Sequence, residues 1–477
     1  MSATTTTIPL LINNKSVTTS TIFEIKNPAT ERILHRCTGA SPKEAHEAAI
    51  TAKDAFPRWR DTRPYARRDI LVKAADIMLS RKEELIRYQC EETGAGRVFA
   101  EKTFLLGVSF LRDFACRIPC IEGVVPAVTQ EGEGAMILKQ PYGVVLGIAP
   151  WNAPYILGVR TVVTPLAAGN TVVLKGSELS PKCFWAIGDV FRQAGLPAGC
   201  LNVIYHRQSD AAEVTSTLIA HPAIRKITYT GSTTVGSIIA GMAAKHTKPV
   251  LLELGGKAAA IVLDDADLEK AAMACTVGAF LHSGQVCMST ERVIVQRSVA
   301  QGFRRLLSQT AEKVYGKNSA APVLVAPSGV EKNQQLVRDA VSKGASVLFG
   351  DPDANEECCA AMRPVIVDGV TKGMDLYETE SFGPTVSVME VEDDAEAVTV
   401  ANDCPYGLTA AIFTENLVRG LRMSKRIEAG AVHINSATIH DEPTMPHGGW
   451  KSSGFGRFGG SSAYDEFLQT KTVTWVE

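Results

Sequence analysis

No stretch of this 477-residue chain approaches the roughly 18 consecutive apolar residues that a bilayer-spanning helix requires, so a span of that kind is excluded. The start, MSATTTTIPLLINN, has no basic segment ahead of its short apolar run and does not read as a secretion signal. An excess of one charge sign is also missing. With 49 Lys and Arg against 51 Asp and Glu, the formal net charge of −2 exerts no long-range pull on nucleic acid. The eleven cysteines, at 37, 90, 116, 120, 183, 200, 275, 287, 358, 359 and 404, are an odd set without a CxxC pair or histidines at zinc spacing. A disulfide framework and a structural metal site are therefore both disfavoured, and reduced thiols are expected. Internal repeats and low-complexity segments are absent apart from the opening threonines. Together these absences predict a cytoplasmic protein with a frayed Thr-rich start, no metal, and neither nucleic acid nor membrane as a partner.

What is present is an ordinary globular composition, 45% hydrophobic and 21% charged, in a chain long enough for two or three domains. Between 143 and 254, short apolar runs (GVVLGIA, NTVVLK, CLNVIY, RKITYTG, KPVLLEL) alternate with helix-like spacers. In one spacer, KCFWAIGDVFRQAG, residues Phe184, Ile187, Val190 and Phe191 share a face and Gly195 marks the stop; another, SDAAEVTSTLIAHP, closes before Pro222. Strands that are apolar throughout and separated by helices predict a parallel, doubly wound sheet. Upstream, SPKEAHEAAITAKDAF opens with a Ser cap and a Pro at the first helical position, and a second helical stretch runs from about Pro64 to Glu92. Beyond 255 the pattern restarts with ADLEKAAMACTVGAFL, RVIVQ, helices near 298 to 314 and 328 to 343, and strands PVIVDGV, TVSVMEV, AAIFTE and AVHINS, which predicts a second α/β domain. Two pieces fit neither domain. The stretch 120–141, with strand-like VVPAVTQ and GAMILKQ, and the tail LQTKTVTWV alternate like strands that pair elsewhere.

The segment LHSGQVCMSTERVIV places Cys287 between a Gly-Gln pair and a Ser-Thr pair, just ahead of a strand. Unpaired cysteine is ordinarily a small core residue; other residues at strand ends bear on whether this one is. Glu253 ends the last strand of the first domain in KPVLLELGGK, and in GIAPWNAPYILGVR two prolines bracket Trp151 and Asn152 on a stiff turn that can aim the Asn amide as a donor. In YTGSTTVG, Gly231 and Ser232 follow a strand and open a helix, which offers free backbone N–H groups to a phosphate. The spacing is not GxGxxG. The TGAG at 93 to 96 ends a helix and is set aside.

In order along the chain, PWNAP, LAAGNTVVLKGSE, TYTGSTTVG, LELGGK, GQVC, ESFGPT, NDCPYGLTAAIF and PHGGWKSSGFGR resemble the motifs of the NAD(P)-dependent aldehyde dehydrogenase superfamily, from about residue 20 to the end. The resemblance implies an NAD-binding domain at 1–119 and 142–254, a catalytic domain at 255–459, and an oligomerisation element at 120–141 and 460–477. It implies a homodimer or homotetramer in which the tail TKTVTWV pairs with another subunit. It makes Cys287 the nucleophile, Asn152 with the Cys287 N–H an oxyanion hole, and Glu253 the base that activates water on the thioester. For NAD, it assigns Lys175 and Glu178 to the adenosine ribose, Trp151, Gly231 and Ser232 to the pyrophosphate neighbourhood, and Glu380 with Phe382 to the nicotinamide ribose and ring. A carboxylate at 178 would repel a 2′-phosphate, which favours NAD over NADP. The departures from the usual pattern are Thr234, Tyr229, His447 for a frequent Phe, and an abbreviated segment after Gly316.

The resemblance is nearest to the salicylaldehyde, vanillin and benzaldehyde dehydrogenases. Ala153, where many members carry a bulky aromatic, leaves room for a ring. Leu157, Arg160, Met288, Trp450 and Phe455 are the further candidate contacts, the two aromatics for packing and Arg160 for an oxygen substituent. Arg160 equally suits the distal carboxylate of a succinate-type semialdehyde, which is the alternative substrate. A non-catalytic relative is opposed by the intact Cys287, Glu253 and Asn152, and a thiol hydrolase by the full set of nucleotide motifs.

Overall fold

The computed structural model describes residues 7–316, 319–354 and 356–476. The first six residues, which hold the Thr-rich start, and two residues of the abbreviated segment after Gly316 lie outside the described residues. Among the described residues no helix is long and apolar enough to cross a membrane.

Five parallel strands form the centre of an eight-stranded sheet. In spatial order they are Val250–Glu253, Ile224–Thr230, Val144–Ile148, Thr171–Lys175 and Leu201–Ile204. Nearly every residue in them is buried, as expected of strands covered on both faces. From Val144–Ile148 the chain first builds to one side, through 171–175 and 201–204, and then crosses to the other, through 224–230 and 250–253. The strand order therefore reverses beside Val144–Ile148, and a crevice opens outside the carboxyl ends of its strand and of Ile224–Thr230. Every candidate residue between 151 and 253 except Leu157, Arg160, Lys175 and Glu178 follows or ends one of the three strands at this side of the sheet.

The covering helices begin and end where local chemistry demands. Pro42–Arg60 starts at Ser41, whose hydroxyl accepts from the Lys43 N–H while Glu44 accepts from the Ser41 N–H at 2.9 Å. Pro181–Ala194 stops at Gly195, which takes φ 92°. The stretch expected to run unbroken from Pro64 to Glu92 is two helices, Pro64–Ser80 and Lys82–Thr93. Arg81 breaks it: its guanidinium binds Glu84 at 2.9 Å and, across the interface, Asp189 at 2.8 Å, and its backbone leaves helical geometry.

The second sheet has seven strands in the order Ser346–Phe349, Val365–Asp368, Thr385–Val391, Thr290–Gln296, Ala258–Val262, Thr409–Phe413 and Ala431–Ile434, all parallel except the first. Ala258–Val262, AAAIV, is a weak strand by propensity, yet it is wholly buried between two partners, and that packing decides its conformation. Gly454–Phe455, assigned above to the second domain, instead pairs antiparallel with Val250–Glu253 and closes the edge of the first sheet.

The tail Leu468–Val476 has a strand partner within the chain. It pairs antiparallel with Glu133–Pro141 of its own chain, from Leu468 opposite Pro141 to Val476 opposite Glu133. VVPAVTQ forms no strand; only Val124 bridges Ile137, and Pro126 lacks the N–H needed to extend the ladder. Truncation after Leu468 should strip partners from those amides of 133–141 that face the tail, while the Ile137 N–H keeps its bond to the Val124 carbonyl. Hydrogen–deuterium exchange at the tail-facing amides is expected to rise to loop-like rates while 224–230 stays protected; unchanged protection of those amides would contradict the pairing.

Candidate active site

Cys287 reaches the crevice through a tight turn. His282 and Ser283 take left-handed backbone angles (φ 52° and 56°) and Gly284 follows at φ 70°. A side chain at Gly284 would run into the Gly383 carbonyl, so only glycine lets the turn pass under the 380–383 loop. The chain then enters Thr290–Gln296 of the second sheet. Glu253 ends Val250–Glu253, the outermost parallel strand of the first. The two sheets thus bring these side chains together, with Cys287 Sγ 3.5 Å from Glu253 Oε1.

Glu253 is fully enclosed and held from two directions. Arg160 forms an ion pair with its Oε2, and His447 Nε2 lies 2.9 Å from its Oε1. Burial alone would raise its pKa, but Arg160 and His447 outweigh burial and bring it down to about 2. The opposite holds at Cys287, where burial and the neighbouring Glu253 charge push the thiol well above its usual range. Cys287 is therefore held as a protonated thiol beside an ionised carboxylate. His447 is raised: burial lowers it, and Asp441 and Glu253 more than reverse that.

Arg160 itself is not free. One guanidinium nitrogen is on Glu253 and another is 3.0 Å from Asp441 Oδ2, while the group stacks over the Phe458 ring at 4.5 Å. Its two forked ends, expected to receive a ring oxygen or a distal carboxylate, thus already hold carboxylate partners, while the side chain lines the cavity beside Cys287.

Two cavities of about 280 Å³ each meet at Asn152, Leu157, Glu253 and Cys287. The first extends past Ala153, Met288, Phe99 and Ile439 and is mostly apolar, with Arg160, Asp441 and His447 among its polar walls. The second is bounded by Trp151, Gly231, Ser232, Lys332, Glu380 and Phe382. Asn152 Nδ2 donates to the Gln285 carbonyl at 3.0 Å, which orients its amide while a second N–H remains. Ser232 caps the helix Thr233–Lys245, whose first N–H groups suit an anion.

The paired glycines of LELGGK have a steric purpose. Glu380 Oε1 accepts from the Gly256 N–H at 2.9 Å, its carboxylate packs where a side chain on Gly255 would stand, and a side chain on Gly256 would strike the Cys287 carbonyl. Burial and nearby Glu291 raise Glu380 to about 7.

Some expected residues stand elsewhere. Trp450 (48% exposed) and Phe455 (51%) line neither cavity, since their short strands sit at sheet edges. Lys175 ends its strand, buried, with its pKa lowered by that burial, and Glu178 borders a separate groove with Arg207 and Gln208. Neither reaches Cys287. Sequence reasoning missed Asp441, and it noted His447 only as a departure. It also missed Glu291, four residues after the nucleophile. Glu291 pairs with buried Lys257 at 2.7 Å and accepts from the Ser381 and Phe382 N–H groups at 2.8 and 3.1 Å, tying the 380–383 loop to the strand behind Cys287.

The thiol lies at the junction of an apolar cavity and a second cleft, with an amide donor and a carboxylate beside it. The profile of the aldehyde dehydrogenase family matches residues 14–473. The chain belongs to that family. It is 43% identical over 474 residues to the vanillin dehydrogenase of Pseudomonas fluorescens, covering 98% of this chain and 97% of that one. It is 38% identical over 476 residues to the salicylaldehyde dehydrogenase of Pseudomonas putida, with the same coverage. Among solved structures, a salicylaldehyde dehydrogenase from Pseudomonas putida G7 complexed with salicylaldehyde superposes with a TM-score of 0.95 at 38% identity, over 99% of this chain and 98% of that one.

The charge arrangement in this aldehyde dehydrogenase has a direct test. Glu253→Gln removes a charge that raises the Cys287 thiol and frees Arg160, which lowers it. The pH profile of Cys287 alkylation by iodoacetamide should move to lower pH, and moving it by one pH unit raises the rate at neutral pH about tenfold. A profile unmoved or moved upward would show that the carboxylate does not govern the thiol.

Proposed function

We propose that this enzyme oxidises aromatic aldehydes to carboxylic acids with NAD, through a thioester on Cys287. The observation that carries the proposal is the placement of Cys287 where the apolar cavity opening beyond Ala153 meets the cleft of Trp151, Ser232 and Glu380. The similarity to vanillin and salicylaldehyde dehydrogenases supports an aromatic substrate.

The residues present fit the cofactor: a capped helix N-terminus for phosphates, a buried carboxylate at Glu380 for ribose hydroxyls, and Phe382 and Trp151 as flat apolar walls. Bound NAD would supply the hydride acceptor. For the rest, Cys287 must lose its proton, and the adjacent Glu253 Oε1 is the acceptor in contact. Sulfur adds to the aldehyde carbon, and the free Asn152 N–H with the Cys287 N–H stabilises the alkoxide. After hydride loss, Glu253 gives up the thiol's proton to solvent and, ionised again, takes a proton from water as that water attacks the thioester carbon; passing that proton to the departing sulfur releases the acid and restores the thiol. A carboxylate held near pKa 2 is a weak base, so Arg160 and His447 set how strongly Glu253 can pull.

The semialdehyde alternative fares less well. A distal carboxylate entering this cavity would meet Asp441 and Glu442, and Arg160 is already neutralised by its two partners. We further place the enzyme in the cytoplasm, which accords with eleven unpaired cysteines, and infer a homo-oligomer from the exposed Val125, Trp475 and Val476 on and beside the paired tail.

NADH absorbance with a panel of benzaldehyde, short aliphatic aldehydes and succinic semialdehyde tests the substrate class. Benzaldehyde is expected to have the highest kcat/KM, and a clear preference for the semialdehyde would overturn the aromatic assignment. Cys287→Ser should abolish NADH formation while NAD binding, read by fluorescence quenching, persists. Turnover in that variant would place the nucleophile elsewhere. Glu178→Gln should narrow the preference for NAD over NADP, and an unaltered ratio would remove Glu178 from the ribose site.

A further inference from the structure

Glu253 Oε1 is touched from two sides. Cys287 Sγ lies 3.5 Å from it and His447 Nε2 2.9 Å, while Arg160 holds the other oxygen. An ionised carboxylate has no hydrogen to give, so Nε2 carries one and donates whether the ring is neutral or charged. The residue is clamped in place: the His447 N–H donates to the Phe458 carbonyl at 2.6 Å, and the Phe458 N–H donates back to the His447 carbonyl at 2.8 Å. Phenylalanine, frequent at this position in the family, could neither donate to Oε1 nor carry a charge.

Of the two groups that anchor Glu253, only His447 can change its charge, because a guanidinium stays protonated at any working pH. The imidazole is faced by Glu253 at the end of its strand, by Asp441 in its own loop, by Arg160 from the helix Pro154–Ala167 and by His433 from the strand Ala431–Ile434. Burial lowers its pKa, and the two carboxylates more than reverse that. His433 adds no charge, since burial, His440 and His447 bring it down to about 4. The His447 side chain lines the cavity and keeps 7% exposure, against 1% for Glu253, so a proton it exchanges has access to the cavity.

We propose that His447 is a positioning residue for the base: its Nε2–H holds Glu253 Oε1 against the Cys287 thiol, and the charge on its ring gates the proton transfers to that carboxylate. This rests on the thioester reaction proposed above. With the ring charged, Glu253 is paired with two cations and takes a proton poorly from the thiol or from water. Once the ring is neutral, one cation is gone, the hydrogen bond remains, and the same carboxylate pulls more strongly. Activity therefore rises with pH as His447 loses its proton.

The full-length wild type is compared with His447→Gln, which keeps an N–H donor but cannot titrate, and with His447→Phe, which keeps a flat ring but cannot donate. The kcat for benzaldehyde at saturating NAD is followed from acid to mildly alkaline pH. In the wild type it should climb by about tenfold per pH unit along its acid limb, as one titrating group requires, and level off above the ordinary imidazole range. In both variants that limb should vanish, and the plateau should fall about tenfold further in His447→Phe than in His447→Gln, because only the amide still holds Oε1 at the thiol. The wild-type profile decides the matter even if the variants fold poorly. Its limb should move to lower pH on warming, as imidazole ionisation does, whereas a limb insensitive to temperature belongs to a carboxylate such as Glu380, which titrates at about 7. That result, a wild-type rate flat with pH, an acid limb of unchanged midpoint in His447→Gln, or a His447→Phe plateau as high as that of His447→Gln would each overturn the proposal. Failure of the underlying reaction looks different: the wild type would then form no NADH at any pH, or Cys287→Ser would still turn over.

Discussion

Around the thiol, two carboxylates, one guanidinium and one imidazole are enclosed together, and their mutual charge balance is the constraint on which the site depends. None of these groups is placed independently. Arg160 comes from a helix of the first sheet, Glu253 from that sheet's outermost parallel strand, and Asp441 and His447 from the loop leaving the last strand of the second. Removing any one would leave a buried charge uncompensated, which costs more than the pair contributes. The same enclosure that holds Glu253 ionised keeps Cys287 protonated, so the acid–base state of the nucleophile belongs to the network and not to the cysteine alone.

Steric economy carries the geometry as strictly as charge does. Gly284 permits passage beneath Gly383, and Gly255 and Gly256 admit Glu380 and the Cys287 carbonyl. Glu291 then locks the 380–383 loop onto the strand that follows the nucleophile, so the nucleotide side and the thiol side share one rigid support. Such support keeps reacting groups within a narrow range of positions without relying on the substrate to arrange them.

Much of this was legible in the residues. The alternation of apolar runs and helices disclosed the doubly wound sheet, and the run of motifs located Cys287, Glu253, Asn152 and the Trp151, Ser232, Glu380 cleft. Failures came where tertiary contacts override local pattern. Ala258–Val262 has little strand propensity and is a strand because both neighbours bury it. Trp450 and Phe455 are aromatic residues near a motif, but edge pairing turns them outward. Arg160 was recognised without its partners, since nothing local ties position 160 to 253 and 441. Asp441 sits in IHDEP, a stretch with no periodicity or motif to mark it, and only the folded cavity shows what it faces.

The return of Gly454–Phe455 to the edge of the first sheet bears on how the enzyme comes into being. Translation delivers the strand that ends at Glu253 long before its outer neighbour. While the second sheet is being synthesised, that strand has one unsatisfied edge, and the residue it carries lacks His447 as well. The first sheet can form around its central strands early, but the segment bearing Glu253 is completed only when residues 447–455 have left the ribosome. The Glu253 environment is therefore assembled only after the second sheet has been made, and a nascent chain stalled within the second sheet would carry a folded first sheet with Glu253 unfinished.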